Sequence, residues 1–281
     1  MGIQIHISTS TACNAKCHFC TYASKENALE PRIFMKWDLY ERIIREAVTY
    51  HPNIDSVAFS GLQEPLTDKL LEKRIALIRE LRPDWFVELY TNGFNLFPER
   101  FESLKVAGLK CLSVSLNAVT AAQHEKIMGV KGKFQQTCEN IRYARANKGD
   151  MRMLVKAVVS NDNFTVTDAN IFNTIWGEID KGDGIGRVVL EMNWAGENRL
   201  IEGRVLDPNS TCSRALNQIS IHPDGRIGLC CLDPLVKYQF GDLKTQNIKE
   251  IYNSGKYVEF REWHRDEVAA RHPLCAKCTR I

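Results

Sequence analysis

From residue 3 to about residue 194 the chain alternates short β-type segments with longer helical ones, and this alternation limits the folds open to it. Strand patterns lie at 3–8, 56–60, 87–91, 112–117, 153–159 and 188–193, with helical patterns at 37–50, 69–81, 98–107, 121–128 and 134–147 between them. Such alternation means a parallel sheet with helices packed on it, and the repeats predict an α/β fold, a partial (β/α)6 barrel. Fully buried parallel strands read as continuous apolar runs, but several here alternate. Ile3, Ile5 and Ile7 interleave with Gln4, His6 and Ser8, and Leu112, Val114 and Leu116 with Ser113, Ser115 and Asn117. Val188, Leu190 and Met192 interleave likewise with Val189, Glu191 and Asn193. Successive side chains point to opposite faces, so one face takes the helices and the other is a polar concave wall suited to a polar ligand.

After Trp194 the character changes. Residues 196–211 read as a connector, and 217–230 as a hairpin with strands 218–222 and 226–229 about the turn Pro223-Asp224-Gly225. Helical patterns follow at 248–254 and 256–268. The expected organisation is a barrel over 1–195 and a small C-terminal α+β unit over 196–281.

Eight of the ten cysteines fall in two groups, Cys13, Cys17 and Cys20 near one end and Cys212, Cys230, Cys231, Cys275 and Cys278 near the other. Cys111 and Cys138 stand alone and read as core residues. The N-terminus shows no signal-peptide pattern and no apolar run reaches membrane length, so a cytoplasmic protein without a membrane span is expected. Cysteines in that compartment serve as metal ligands rather than disulfides. A formal net charge of +3 with no Lys/Arg run gives no argument for nucleic acid.

The first group, Cys13-Asn14-Ala15-Lys16-Cys17-His18-Phe19-Cys20, places its thiols within one short loop, where they can converge on one metal centre. Iron–sulfur clusters and structural zinc sites ordinarily take four ligands. Three cysteines without a nearby fourth point to a cubane cluster with one iron open, since His18 lies inside the loop with poor geometry as a ligand. In the second group the hairpin would bring Cys212 and Cys230 to its open end, and Cys275 and Cys278 complete a set of four; spacing alone fits zinc and iron–sulfur equally. Cys231 can replace Cys230 as ligand, be a buried structural thiol, or act as a hydrogen-atom donor.

The C-x3-C-x2-C spacing after the first strand, with Phe19 before the third cysteine, closely resembles the radical S-adenosylmethionine (SAM) superfamily. In that family SAM chelates the open iron of a [4Fe–4S] cluster, and electron transfer breaks a carbon–sulfur bond to yield a 5′-deoxyadenosyl radical. The run Ser60-Gly61-Leu62-Gln63-Glu64-Pro65 resembles the Gly-Gly-Glu-Pro strip that binds the amino group of SAM, with Leu62 and Gln63 where glycines are common. Glycine lets backbone approach a ligand, and a carboxylate accepts charge-assisted bonds from an ammonium; taken alone, Glu64 would read as a helix N-terminal residue. The resemblance thereby implies SAM contacts from Phe19, Gly61, Gln63, Glu64, Asn92, Ser115 and Asn117.

The run from Gly225 through Cys230, Cys231 and Asp233, then Gly241-Asp242-Leu243 and Ile248-Lys249-Glu250-Ile251-Tyr252, resembles the auxiliary-cluster domain called SPASM or its shortened twitch form. Five cysteines suffice for one cluster, so the resemblance implies an auxiliary [4Fe–4S] cluster on Cys212, Cys230, Cys275 and Cys278. The arrangement is similar to that of twitch-containing aminocyclitol dehydrogenases. It implies hydrogen abstraction from, and oxidation or rearrangement of, a small polar substrate of sugar or aminocyclitol type, with an external electron donor such as flavodoxin or ferredoxin. Lys156, Glu191 and Asp233 are the candidate catalytic residues, with Gln4, His6, Asn193 and Arg199 as further substrate contacts. Lys156 and Glu191 can equally form a buried salt bridge. A peptide-modifying relative would use the same clusters, although the first strand begins at residue 3 and leaves no room ahead of it for a recognition domain. A zinc-binding scaffold is the non-enzyme alternative.

Overall fold

The structure, a computed structural model, describes residues 2–21, 32–50, 53–61, 63–159, 164–177, 186–190, 211–266 and 272–278. The elements β1 (Ile3–Ile7), α1 (Trp37–Tyr50), β2 (Ile54–Phe59), α2 (Leu71–Leu81), β3 (Phe86–Thr91) and α3 (Pro98–Val106) follow in order. Then come β4 (Cys111–Ser115), α4 (Ala121–Met128), α5 (Phe134–Asn147), β5 (Arg152–Val159), α6 (Val166–Trp176) and β6 (Gly186–Leu190). Local chemistry sets these boundaries. In α1, Tyr40, Ile43, Ile44 and Ala47 recur at helical spacing and are all buried, a stripe in which each large side chain contributes about 1.5–3 kcal/mol on burial. The Thr120 side chain accepts from Gln123 N–H to open α4, and Gly129, at φ 65°, closes it.

Strands β1 to β6 run parallel in sequence order, as in a β/α barrel, but β6 does not close on β1. The free edge of β1 instead pairs in parallel with β7 (Gln218–Ile221), Gln4 opposite Gln218 and Ile7 opposite Ile221. Antiparallel β8 (Arg226–Gly228) and β9 (Gln239–Asp242) extend the same nine-stranded sheet. The fold is thus a partial barrel whose C-terminal region continues the sheet past β1. Residues around 195 lie outside the described set, while strands on both sides of that position share one sheet. One apolar core runs through both, from Ile5, Phe59 and Leu112 to Ile219, Ile227, Tyr257 and Phe260.

Three elements differ from the sequence reading. The capping box of Thr165 and Asp168 starts α6, which the pattern hid because Val166, Ile171 and Ile175 are exposed apolar residues that blur its periodicity. The five-residue α7 (Ser213–Asn217) stands between Cys212 and β7, so Cys212 caps a helix rather than flanking the hairpin. The short edge strand β9 contains Gly241 and Asp242, both disfavoured in strands. Beyond it, α8 (Ile248–Tyr252) and α9 (Gly255–Arg265) cover the sheet.

Candidate active site

Strand parity builds the polar wall. Ile5 and Ile7 are fully buried under the helices, while Gln4 and His6 face a cavity of about 1090 Å3. Glu88 and Tyr90 of β3, Ser115 of β4 and Lys156 of β5 face the same space. The volume lies just above the ~300–1,000 Å3 range for single small-ligand pockets.

The cysteine loop hangs from the end of β1. Its Lys16 N–H donates to Met128 C=O at 2.9 Å and its His18 N–H to Ile127 C=O at 3.1 Å, so the loop occupies carbonyls that the end of α4 leaves open. Gly129 permits this approach, because a Cβ there would lie 2.4 Å from the Lys16 oxygen. Cys13, Cys17 and Phe19 pack on Ala15, Phe94, Ile127 and Met128, and Cys13, Cys17 and Cys20 all line the cavity. Burial pushes the Cys13 thiol up to about 12 and Cys17 well above its ordinary value, and the neighbouring thiols push both further. Partly buried thiols whose neighbours oppose the ionisation of Cys13 and Cys17, with no cation among the causes, are a donor set that a positively charged metal core would reverse. Among the described residues no three His, Cys, Asp or Glu side chains are gathered as a single metal ion requires.

Beside the loop, Glu64 is 2% exposed. Its Oε1 accepts from Leu66 N–H at 3.0 Å and Thr91 O–H at 2.5 Å, and its Oε2 accepts from Asn92 N–H at 2.7 Å. Burial nevertheless pushes its carboxyl up to about 7. A carboxylate offers about four lone-pair sites, so one remains for a cationic partner. The Gln63 side chain is spent on the scaffold: its carbonyl accepts from the Thr9 and Ser10 amides at 3.0 and 2.9 Å, and its NH2 donates to Ile7 and Ser60 carbonyls. Gly61, at φ 120°, sits where a Cβ would fall 2.0 Å from Ser8 Oγ.

Asn92 donates to Asn14 Oδ1 at 2.7 Å and accepts from Phe94 N–H, which shapes the turn after β3. Asn117, at φ 60°, accepts from Val158 N–H at 2.9 Å and contacts Met128 Sδ. Both line the cavity with Ser115, Gly61, Gln63, Glu64 and Phe19. His6 is hydrogen-bonded to Ser60 Oγ, and burial, then Arg214, lowers its pKa to about 4, so the ring is neutral.

The second thiol group comes together only in three dimensions. Cys230 follows β8, and Cys231, Cys275 and Cys278 raise its pKa after burial has done so. Cys275 is pushed up to about 12 by burial, then by Cys278 and Asp233. Cys230, Cys231 and Leu274 pack on Leu232 and Cys278, while Cys212, at the start of α7, packs on the main core. The adjacent cysteines divide: Cys231 lines the cavity with Arg214, whereas Cys230 does not.

Asp233 corrects an expectation. It is 3% exposed, lies outside the cavity lining, and accepts from the Lys237 and Tyr238 amides at 2.9 and 3.1 Å. It shapes the loop after Cys231 instead of facing substrate. Lys156 does line the cavity, its Nζ 4.5 Å from the Tyr90 ring centre. Glu191, Asn193, Arg199 and Leu62 fall outside the described residues. Glu88 and Arg214 are among the cavity residues that the sequence pattern did not single out. Glu88 accepts from Tyr90 O–H at 2.8 Å and Gln4 Nε2 at 3.5 Å; the alternation of Phe86, Glu88 and Tyr90 with Val87, Leu89 and Thr91 carried the signal. Arg214 sits on the five-residue α7, too short for any pattern.

Residues 7–159 match the radical SAM superfamily, and residues 212–279 match SPASM, an iron–sulfur cluster-binding domain. The chain belongs to the radical SAM superfamily. As a radical SAM chain with a SPASM domain it uses SAM and [4Fe–4S] clusters. A GTP 3′,8-cyclase of Mycolicibacterium smegmatis is 36% identical over 124 residues, which are 44% of this chain and 34% of that protein. An AdoMet-dependent heme synthase of Methanosarcina barkeri is 32% identical over 156 residues, 55% of this chain and 42% of that protein. The matches thus span less than half of these relatives' lengths. In fold, the crystal structure of BtrN in complex with AdoMet and 2-DOIA aligns with TM-score 0.68 at 17% identity, covering 100% of this chain and 94% of that one. SuiB of Streptococcus suis bound to the precursor peptide SuiA aligns equally at 0.68 and 17%, over 93% of this chain and 67% of that one. No described helix is long and apolar enough to cross a membrane.

Proposed function

We propose that this radical SAM enzyme abstracts a hydrogen atom from a small polar substrate of sugar or aminocyclitol type and completes its oxidation with the help of an auxiliary [4Fe–4S] cluster. The observation that carries the reading is one cavity lined by Cys13, Cys17 and Cys20 at one side and Cys231 at another, with a polar strand face between. When bound, the first cluster supplies the electron that cleaves SAM into methionine and a 5′-deoxyadenosyl radical. Cys13, Cys17 and Cys20 would hold three of its irons. Glu64 has one lone pair left to accept the SAM ammonium, and Gly61 lets the backbone approach the methionyl part. Asn92, Ser115 and Asn117 supply polar contacts, and Phe19 shields the loop.

Substrate would lie against Gln4, Glu88, Tyr90, Lys156 and Arg214. Glu88 and the two cations present both charge signs, which suits a compact substrate rich in hydroxyl and amino groups. Abstraction moves one hydrogen atom from a substrate C–H bond to the 5′-deoxyadenosyl carbon. Net oxidation then requires one electron to leave toward Cys230, Cys275 and Cys278, and one proton to pass to a base, for which Lys156 and Glu191 are the candidates. An external donor of flavodoxin or ferredoxin type would supply the first electron.

Anaerobic reconstitution with iron and sulfide, followed by SAM and dithionite, tests the first part: 5′-deoxyadenosine must appear, and zinc bound without iron would refute it. Deuterated aminocyclitols and sugars then compete with deuterated peptides as the source of label in that product. The peptide reading rests on the equal fold likeness to peptide-bound SuiB, and label arriving only from peptides would establish it over ours.

A further inference from the structure

Two imidazoles that the proposed chemistry does not use lie beside the second thiol group. His264, in the last turn of α9, is 1% exposed and His272 is 2% exposed. The His264 Nε2 stands 3.6 Å from Cys275 Sγ, and its other nitrogen, Nδ1, has no hydrogen-bond partner among the described residues. Phe260, one helical turn earlier, meets the His264 ring edge-on at 4.8 Å between centroids, so the packed core sets where the imidazole points. His272 secures the other side. Its Nδ1 accepts from Leu274 N–H at 3.3 Å and its C=O from Ala276 N–H at 2.9 Å, which fixes the backbone on either side of Cys275. Ring edge and sulfur are therefore both held by buried structure.

We propose that His264 donates an N–H···S hydrogen bond to Cys275 and thereby raises the reduction potential of the auxiliary cluster. The proposal rests on the reading of Cys275 as a ligand of that cluster. A metal-bound thiolate can only accept, so the proton sits on Nε2 and Nδ1 is the bare nitrogen, which matches its lack of a partner. Hydrogen bonds to ligand sulfur stabilise the more negative, reduced cluster over the oxidised one.

The test uses the full-length triple variant Cys13→Ala/Cys17→Ala/Cys20→Ala, reconstituted so that only the auxiliary cluster is present, with iron and sulfide counted and the midpoint potential read by EPR during redox titration. His264→Leu is expected to keep its iron and to be roughly tenfold less reduced at a fixed potential, about 59 mV for a one-electron couple. His264→Gln, which retains an N–H donor, should recover part of the shift. A full cluster whose potential ignores position 264 would overturn this proposal alone, as would loss of iron from both His264 variants, which marks a merely structural role. Absence of iron from the triple-variant parent would overturn the auxiliary-cluster reading and the proposal with it.

Discussion

The two thiol groups are assembled by different routes, and of the second only Cys231 lines the cavity. The first needs one loop: Cys13, Cys17 and Cys20 lie within eight residues, held by two backbone hydrogen bonds to the end of α4. The second draws on the exit of β8 and a turn of 3₁₀-helix at Cys275–Lys277, with Cys212 at the start of α7 packed on the main core, and the pairing of β7 with β1 and the packing of α7 on α9 set this region against the barrel. A local site is written in spacing, whereas an assembled site is written in packing. The first should therefore be sensitive chiefly to its own residues, and the second to distant ones as well.

The largest contrast is in chemistry. Cys17→Ala should abolish 5′-deoxyadenosine formation, whereas Cys275→Ala should spare uncoupled SAM cleavage and eliminate substrate turnover, both read by chromatography of products. Turnover surviving in the second variant would erase the division of labour.

Next in size is the frame beneath the first site. Arg74 and Asp68 form a pair 2.8 Å apart, 1% and 4% exposed, and Arg74 also donates to Met35 C=O at 2.6 Å. Arg74→Leu leaves a buried carboxylate without its cation, for an expected loss of ~3–5 kcal/mol in urea unfolding. A loss below 1 kcal/mol would show that the site's support is more local than the hydrogen bonds indicate.

Third comes pH. Glu64 is held up at about 7 by burial, so the folded chain keeps its proton below that pH. The stability this group contributes is present at acid pH and is lost as pH rises through about 7. Binding of an ammonium has the opposite sign, because it needs the carboxylate. SAM affinity, measured by calorimetry, should rise with pH by up to roughly tenfold per unit and level off above the Glu64 pKa. Glu64→Gln should bind weakly with a flat profile.

The smallest effect tests whether the two regions are separate bodies. Asn247 and Glu250 form a capping box on α8, which packs against α1. Asn247→Ala should cost about 1 kcal/mol and shift a single unfolding transition read by calorimetry. A second transition that moved alone would mean the C-terminal region unfolds independently despite the shared sheet.

Much of the barrel was legible because each unit is locally encoded. The alternation of Ile3, Ile5 and Ile7 with Gln4 and His6 states both the strand and which face meets the cavity. Glu88 followed the same parity and was readable in principle. Gln63 illustrates the limit: it lines the cavity near Glu64, yet its amide is consumed by four backbone partners that lie 54, 53, 56 and 3 residues away. Asp233 fails for the same reason, since nothing in its neighbours says that the amides of Lys237 and Tyr238 will claim both oxygens.

The sequence by itself determined the strand order of the barrel, the polar parity of its inner wall and the loop that gathers Cys13, Cys17 and Cys20, because periodicity and short spacing act within a few residues. Only the tertiary structure decided that β7 adopts the free edge of β1, that Cys231 faces the cavity while Cys230 turns toward Cys275 and Cys278, and that Arg214 and His264 stand where they do. Those outcomes depend on which surfaces bury one another across the fold, and no local pattern encodes that.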